Sequence, residues 1–181
     1  MIGKWFEILT EIAPRTAQVL MLLNPENAPQ WAGYTVMLNS FAGTRAVRLL
    51  PGAVRNKAEI EQTIEVFARE PNCGIIVPPD AITNVNRQLI VDLCAKLRVP
   101  GVYPYRNWAV SGGLISYGID VVDQFRNASR YVGRILKGEK PGDLPIQAPN
   151  EFKTVINLKT AKALGLTIPP TLLGRADEVI E

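Results

Sequence analysis

Apolar positions along the chain follow two alternating rhythms. Residues 19–23, VLMLL, are an unbroken apolar run, which suits a strand covered on both faces of a sheet. Before it, Trp5, Phe6, Leu9 and Ile12 share one helical face, and Pro14 ends that helix. After it, Tyr34, Met37, Leu38 and Phe41 recur at the spacing of a helix over 29–41. RAVRLL (45–50) is the next strand, Ile60, Ile64 and Phe67 mark the next helix, and CGIIVP (73–78) is a strand with no polar face. Val85, Leu89, Leu93 and Leu97 then stand four apart as one helical stripe, and PGVYPY (100–105) closes the series as a short strand. Strands alternating with helices of this length make βαβ units and a parallel sheet. Residues 1–105 therefore read as one complete doubly wound α/β lobe.

Beyond 105 the pattern thins. GGLISYG (112–118) is a strand, and Val122, Phe125, Val132 and Leu136 mark a helix that stops near Gly138. Residues 137–150 are a Pro/Gly-rich connector without periodicity. FKTVINL (152–158) is a strand, KTAKALG (159–165) a short helix with Gly165 as its stop, and the tail carries a Pro-Pro break. Two strands seldom make a stable layer, so residues 106–181 read as part of a second lobe.

Composition narrows the chemistry. The chain has 181 residues, 47% of them hydrophobic, and a formal charge of +3 with both signs interspersed. That balance is too mild to argue for nucleic acid. The absence of histidine removes the commonest general base and transition-metal ligand. Cys73 and Cys94 lack the spacing of a metal or redox pair and read as small buried hydrophobes. No apolar run is long enough to span a bilayer. The first residues lack the apolar core of a signal peptide, so the chain as written reads as cytoplasmic.

Open parallel sheets bind ligands beyond the carboxyl ends of their strands. Those ends carry Asn24 and Asn27, Pro51-Gly52-Ala53, Asp80, Tyr103 to Arg106, and Ser116, Tyr117 and Asp120. Asn24 and Asn27 suit a turn and a helix cap as well as a ligand, and Asp80 equally suits a cap or a ligand ammonium. Of Tyr103 and Tyr105, which flank Pro104, alternation turns one toward the cleft. The helix following Asn24-Pro25 offers free amides to an anionic group. SGGLISYG precedes no helix directly and lacks the dinucleotide fingerprint order. Neither a phosphate loop nor a nucleophile elbow occurs.

Four stretches resemble a known family: GKWFEILTEIAPRTAQVLMLLNPEN, AEIEQTIEVFAREPNCGIIVPPD, PGVYPYRNWAVSGGLISYGID and INLKTAKALGLTIPPTLLGRADEVIE. They are similar to the solute-binding proteins of ABC importers, in the branch that includes aromatic amino acid binders. The resemblance implies a type 1 periplasmic-binding fold, truncated at its start, with residues 1–105 as the complete lobe and 106–181 as the C-terminal part of the other. It implies no cofactor or metal, an ABC permease as partner, a periplasmic setting, and ligand contacts from Asn24, Asn27, Asp80, Tyr103, Ser116, Tyr117 and Asp120.

The leading expectation is a solute-binding component that holds a small carboxylate-bearing organic molecule, such as an aromatic amino acid, without turnover. A ligand-sensing regulatory domain, or a truncated product without transport function, are the alternatives. A homodimer is also expected, because strands over 113–118 and 152–158 would otherwise present open edges.

Overall fold

The computed structural model describes residues 1–26, 33, 34, 36, 47–149 and 151–181. The helix expected over 29–41 lies mostly outside them, although Gly33, Tyr34 and Val36 are helical. Helix α1 (Ile2–Ile12) buries Trp5, Phe6, Leu9 and Ile12 as their spacing predicts, and adds Ile2 and Ile8. Strand β1 (Gln18–Leu23) is buried from its second residue onward. Five more strands follow the first, up to β6: β2 (Arg48–Ala53), β3 (Cys73–Ile76), β4 (Gly101–Tyr103), β5 (Ile115–Ile119) and β6 (Phe152–Asn157). A short β7 (Glu178–Ile180) completes the set.

Among the described residues these strands form one seven-stranded sheet in the order β2-β1-β3-β4-β5-β6-β7. All neighbours are parallel except β5 and β6. Between them run α2 (Lys57–Phe67), α3 (Ala81–Val85), α4 (Arg87–Lys96), α5 (Arg106–Val110), α6 (Val121–Leu136), α7 (Leu158–Ala163) and α8 (Pro170–Leu173). One face of the sheet is covered by α1, α7 and α8, through Trp5, Leu9, Ala161 and Leu172. The other is covered by α2, α4 and α5, through Ile60, Ile64, Ile90 and Trp108. Both faces are therefore sealed, which is why the central strands carry no polar side.

Four expectations need correction. The strands expected to lie with open edges over 113–118 and 152–158 are instead paired on both sides, β5 between β4 and β6, and β6 between β5 and β7. The tail contributes β7, which its sequence did not announce. β2 runs on through Pro51 to Ala53. A proline fits there because β2 is an edge strand, and its missing N–H costs no ladder bond. Of the stripe from Val85 to Leu97, Leu93 is buried and Leu89 and Leu97 pack against the same core, but the chain breaks at Asn86, which ends α3 and starts α4, and Val85 is 81% exposed. Ile90, Val91 and Cys94 join Leu93 in facing the core from α4.

The predicted helix over Val122 to Leu136 is present as α6, yet it buries no residue. It stands outside the sheet with the strap that follows it, until β6 returns. Gly138 and Gly165 close α6 and α7 with positive φ, as stops for a helix require. Among the described residues no helix is long and apolar enough to cross a membrane.

The cysteines separate. Cys94 is buried on α4 and Cys73 is half-buried at the start of β3. Burial pushes the Cys94 thiol up to about 12, against the weaker pull of a hydrogen bond with Tyr103. An unfolded thiol ionises near 9, whereas this one stays protonated in the fold. Its contribution to stability is thus complete below pH ~9 and is lost as pH climbs from 9 through 12. Chemical denaturation at pH 8 and pH 10 is expected to give the lower stability at pH 10. A thiol-reactive dye at pH 8 is expected to label Cys73 before unfolding and Cys94 only after it; equal rates would contradict this burial.

Candidate functional site

The parallel strands β1 to β5 all end on one edge of the sheet, and β6, running the other way, begins there. Over the ends of β4 and β5 lies a cleft of about 480 Å³. Its walls are Asn84 from α3, Tyr105, Arg106 and Asn107 from the start of α5, Gly118 to Val122 from the end of β5 and the first turn of α6, and Lys153 of β6.

Gly118 sets the shape of this cleft. A Cβ at that position would lie 1.8 Å from the carbonyl oxygen of Pro104. Only a glycine lets the turn after β4 cross so close over β5 and deliver Tyr105 and Arg106 to the rim. Arg106 is then held by two bonds to Glu178 of β7, Nε at 2.6 Å and Nη2 at 2.7 Å. Lys153 faces Asp177 at 3.3 Å. Burial raises the phenol of Tyr105 above its ordinary range, with Tyr34 nearby adding to the effect, so the hydroxyl stays protonated and able to donate.

Asp120 lies at the junction of β5 and α6. Its Oδ1 accepts from the amides of Val122 at 2.9 Å and Asp123 at 3.1 Å, capping α6. Oδ2 takes no part in this cap. Asn84 on the wall has its Oδ1 shut off from solvent and, among the described residues, without a hydrogen-bond partner. Buried acceptors are rarely left so, because an unpaired one costs roughly 1–3 kcal/mol.

The expected site residues divide. Asp120 lines the cleft. Asn24 is buried and its Oδ1 accepts from the Glu26 amide at 3.0 Å, so it closes the turn after β1. Asp80 caps α3 by accepting from the Thr83 amide at 3.0 Å. Tyr103 is buried, stacked on Trp108 with ring centroids 5.0 Å apart, so of the two tyrosines it is Tyr105 that reaches the cleft. Ser116 is buried two residues deeper in β5, and among the described residues its hydroxyl has no hydrogen-bond partner. Tyr117 packs toward α1 and stacks on Phe152. Asn27 lies outside the described residues. Asn84, Asn107 and Lys153 were not singled out from the sequence. The one signal for Asn84 was its place a single helical turn after the capping Asp80.

Comparison with known proteins bears on this arrangement. A family model described as ABC transporter substrate binding protein matches residues 1–180. A tyrosine-binding protein of Clostridioides difficile is 20% identical over 165 residues, covering 91% of this chain and 47% of that one. Among solved structures, a conserved domain protein from Vibrio cholerae superposes with a TM-score of 0.85 at 22% identity, over 98% of this chain and 60% of that one. An ABC domain from Streptococcus pneumonia in complex with L-Trp gives a TM-score of 0.85 at 25% identity, over 99% and 62%. A ligand-free, open substrate binding protein with adhesive properties from Clostridium difficile gives 0.69 at 18%, over 98% and 59%. The chain thus spans about half the length of the curated relative and about three fifths of these structures.

Proposed function

We propose, from the premise that this chain belongs to the ABC transporter substrate binding protein family, that its cleft binds an amino acid with an aromatic side chain for an extracytoplasmic ABC importer. The observation that carries the reading is the cleft at the strand ends that brings Tyr105, Arg106, Asn107 and Asp120 together. An α-ammonium group supplies N–H donors for Asp120 Oδ2, which the cap of α6 does not use. The ring of Tyr105 offers a face on which an aromatic side chain stacks. Arg106 spends Nε and Nη2 on Glu178, so Nη1, together with the amide of Asn107, is the donor left for a carboxylate. These polar groups act singly, with no base set beside a nucleophile, which favours holding a ligand over transforming it. A permease is the partner that receives the ligand.

Isothermal titration with L-tryptophan and L-tyrosine tests the reading. Binding of one of them is expected, and at a hundred times its Kd the ligand should stabilise the fold by about 2.7 kcal/mol. Asp120→Asn, which keeps a capping oxygen for α6, is expected to weaken binding about tenfold, the loss of the carboxylate that meets the ammonium. No heat and no melting shift with either amino acid at millimolar concentration would end the proposal.

A further inference from the structure

Among the described residues, three charged side chains line the cleft: Arg106, Lys153 and Asp120. Two cations and a carboxylate on one small site attract each other. Yet both cations turn elsewhere, to adjacent carboxylates of the tail that lie outside the cleft wall. Arg106 grips Glu178 of β7 with two parallel bonds, and Lys153 meets Asp177 just before that strand. Backbone pairing places both carboxylates. Asp177 donates its amide to the Thr154 carbonyl at 2.9 Å and accepts the Thr154 amide on Oδ2 at 2.8 Å, while Glu178 stands opposite Val155 in register. The pull of Asp120 still reaches both cations. Arg106 is held protonated above its ordinary range first by its hydrogen bonds and charge attraction to Glu178, then more weakly by Asp120. Lys153 is held likewise by Asp177 first, with Glu151 and Asp120 behind.

We propose, given the amino acid reading of the cleft, that Glu178 and Asp177 are positioning residues that hold Arg106 and Lys153 off Asp120. The Asp120 carboxylate is thereby kept for a ligand's ammonium group, and the Arg106 guanidinium is fixed with one edge free for the ligand's carboxylate. Preference for a zwitterion over a simple acid is then set by two residues that do not touch the ligand. The chemistry suits the role. A guanidinium held by a two-bond fork is fixed in plane as well as in place, which one bond or a lysine would not achieve. Exposed ion pairs add little to stability, so the fork does more for orientation than for the fold.

Isothermal titration with L-tryptophan and with 3-(indol-3-yl)propanoate, the same acid without its ammonium, tests it. The parent is expected to prefer L-tryptophan. Glu178→Gln lets Arg106 fall onto Asp120, and should weaken L-tryptophan about tenfold more than the propanoate. Glu178→Asp, which keeps the charge, should retain part of the preference, and Asp177→Asn should narrow it in the same direction. Melting of Glu178→Gln should drop by less than about 4 °C. A second readout needs no ligand: the nuclear magnetic resonance signal of Arg106 Nε. Asp120→Asn should move that signal strongly in the Glu178→Gln background and little in the parent. A parent that binds both compounds alike overturns the proposal, as does a Glu178→Gln variant that weakens both equally; the amino acid reading survives either result. A parent that binds neither compound ends that reading, and the Nε signal then decides the positioning: no response to Asp120→Asn in the Glu178→Gln background overturns it.

Discussion

Gly118→Ala is expected to destabilise the protein by about 3 kcal/mol, the upper end of what overpacking costs, and to lower its melting temperature by about 6–12 °C. The added Cβ would meet the Pro104 carbonyl oxygen at 1.8 Å and its carbon at 2.9 Å. Neither is the movable end of a side chain. Relief requires the backbone after β4 to lift away from β5, where Val102 and Tyr103 pair with Ile115 and Ser116. The same movement displaces Tyr105 and Arg106, so ligand binding should fall further than the loss of stability explains. Gly133→Ala is the matched comparison, because a Cβ there meets nothing within 4 Å and alanine favours the helix. Melting curves of the two variants that coincide would show that the turn after β4 is not held by this contact.

Much of the layer pattern was legible because burial on two faces writes itself as continuous apolar runs. Val19 to Leu23 and Gly74 to Val77 could hardly be anything but central strands. Gly165 and Gly138 announced helix stops because only glycine adopts their backbone angles without strain. Pairing was less legible, because it depends on partners distant in sequence. β6 joins β5 across a 32-residue excursion from 120 to 151, and nothing local in EVI (178–180) distinguishes a strand from a tail. The cleft was legible as an edge but not as a set of residues. Alternation says that one of Tyr103 and Tyr105 turns inward, but the parity is decided by what covers the face. Here that is Trp108, stacked on Tyr103. Asn24 and Asp80 stand at strand ends, yet both satisfy backbone amides one turn on, the commoner use of such residues there. The unpaired oxygen of Asn84 has no sequence signature, since it is defined by what fails to surround it.

Trp5→Ala is expected to cost about 4 kcal/mol, within the usual range for truncating a buried aromatic, and Trp5→Phe about 1–2 kcal/mol, the cost of one buried hydrogen bond with the packing largely kept. Trp5 is fully buried on α1, among Phe6, Leu9 and the strands of that face. Its indole N–H donates to the Tyr117 carbonyl at 2.6 Å, across 112 positions of sequence. This bond fixes where α1 lies along β5, the strand that carries Gly118 and Asp120 to the cleft. On the opposite face α5 is tied to the strand after next, where the side-chain Nδ2 of Asn157 donates to the Ala109 carbonyl at 3.0 Å. The first helix is thus fastened to the end of the sheet that forms the site, and hydrophobic packing alone would not set its position so narrowly. For a chain of this length each kcal/mol moves the melting temperature by about 2–4 °C, so the alanine variant should melt about 8–16 °C lower and the phenylalanine variant about 2–8 °C lower. Should the alanine variant fail to fold, the phenylalanine variant still separates the hydrogen bond from the packing. A phenylalanine variant as stable as the parent would mean that the indole is held by shape alone and that its bond to Tyr117 contributes nothing.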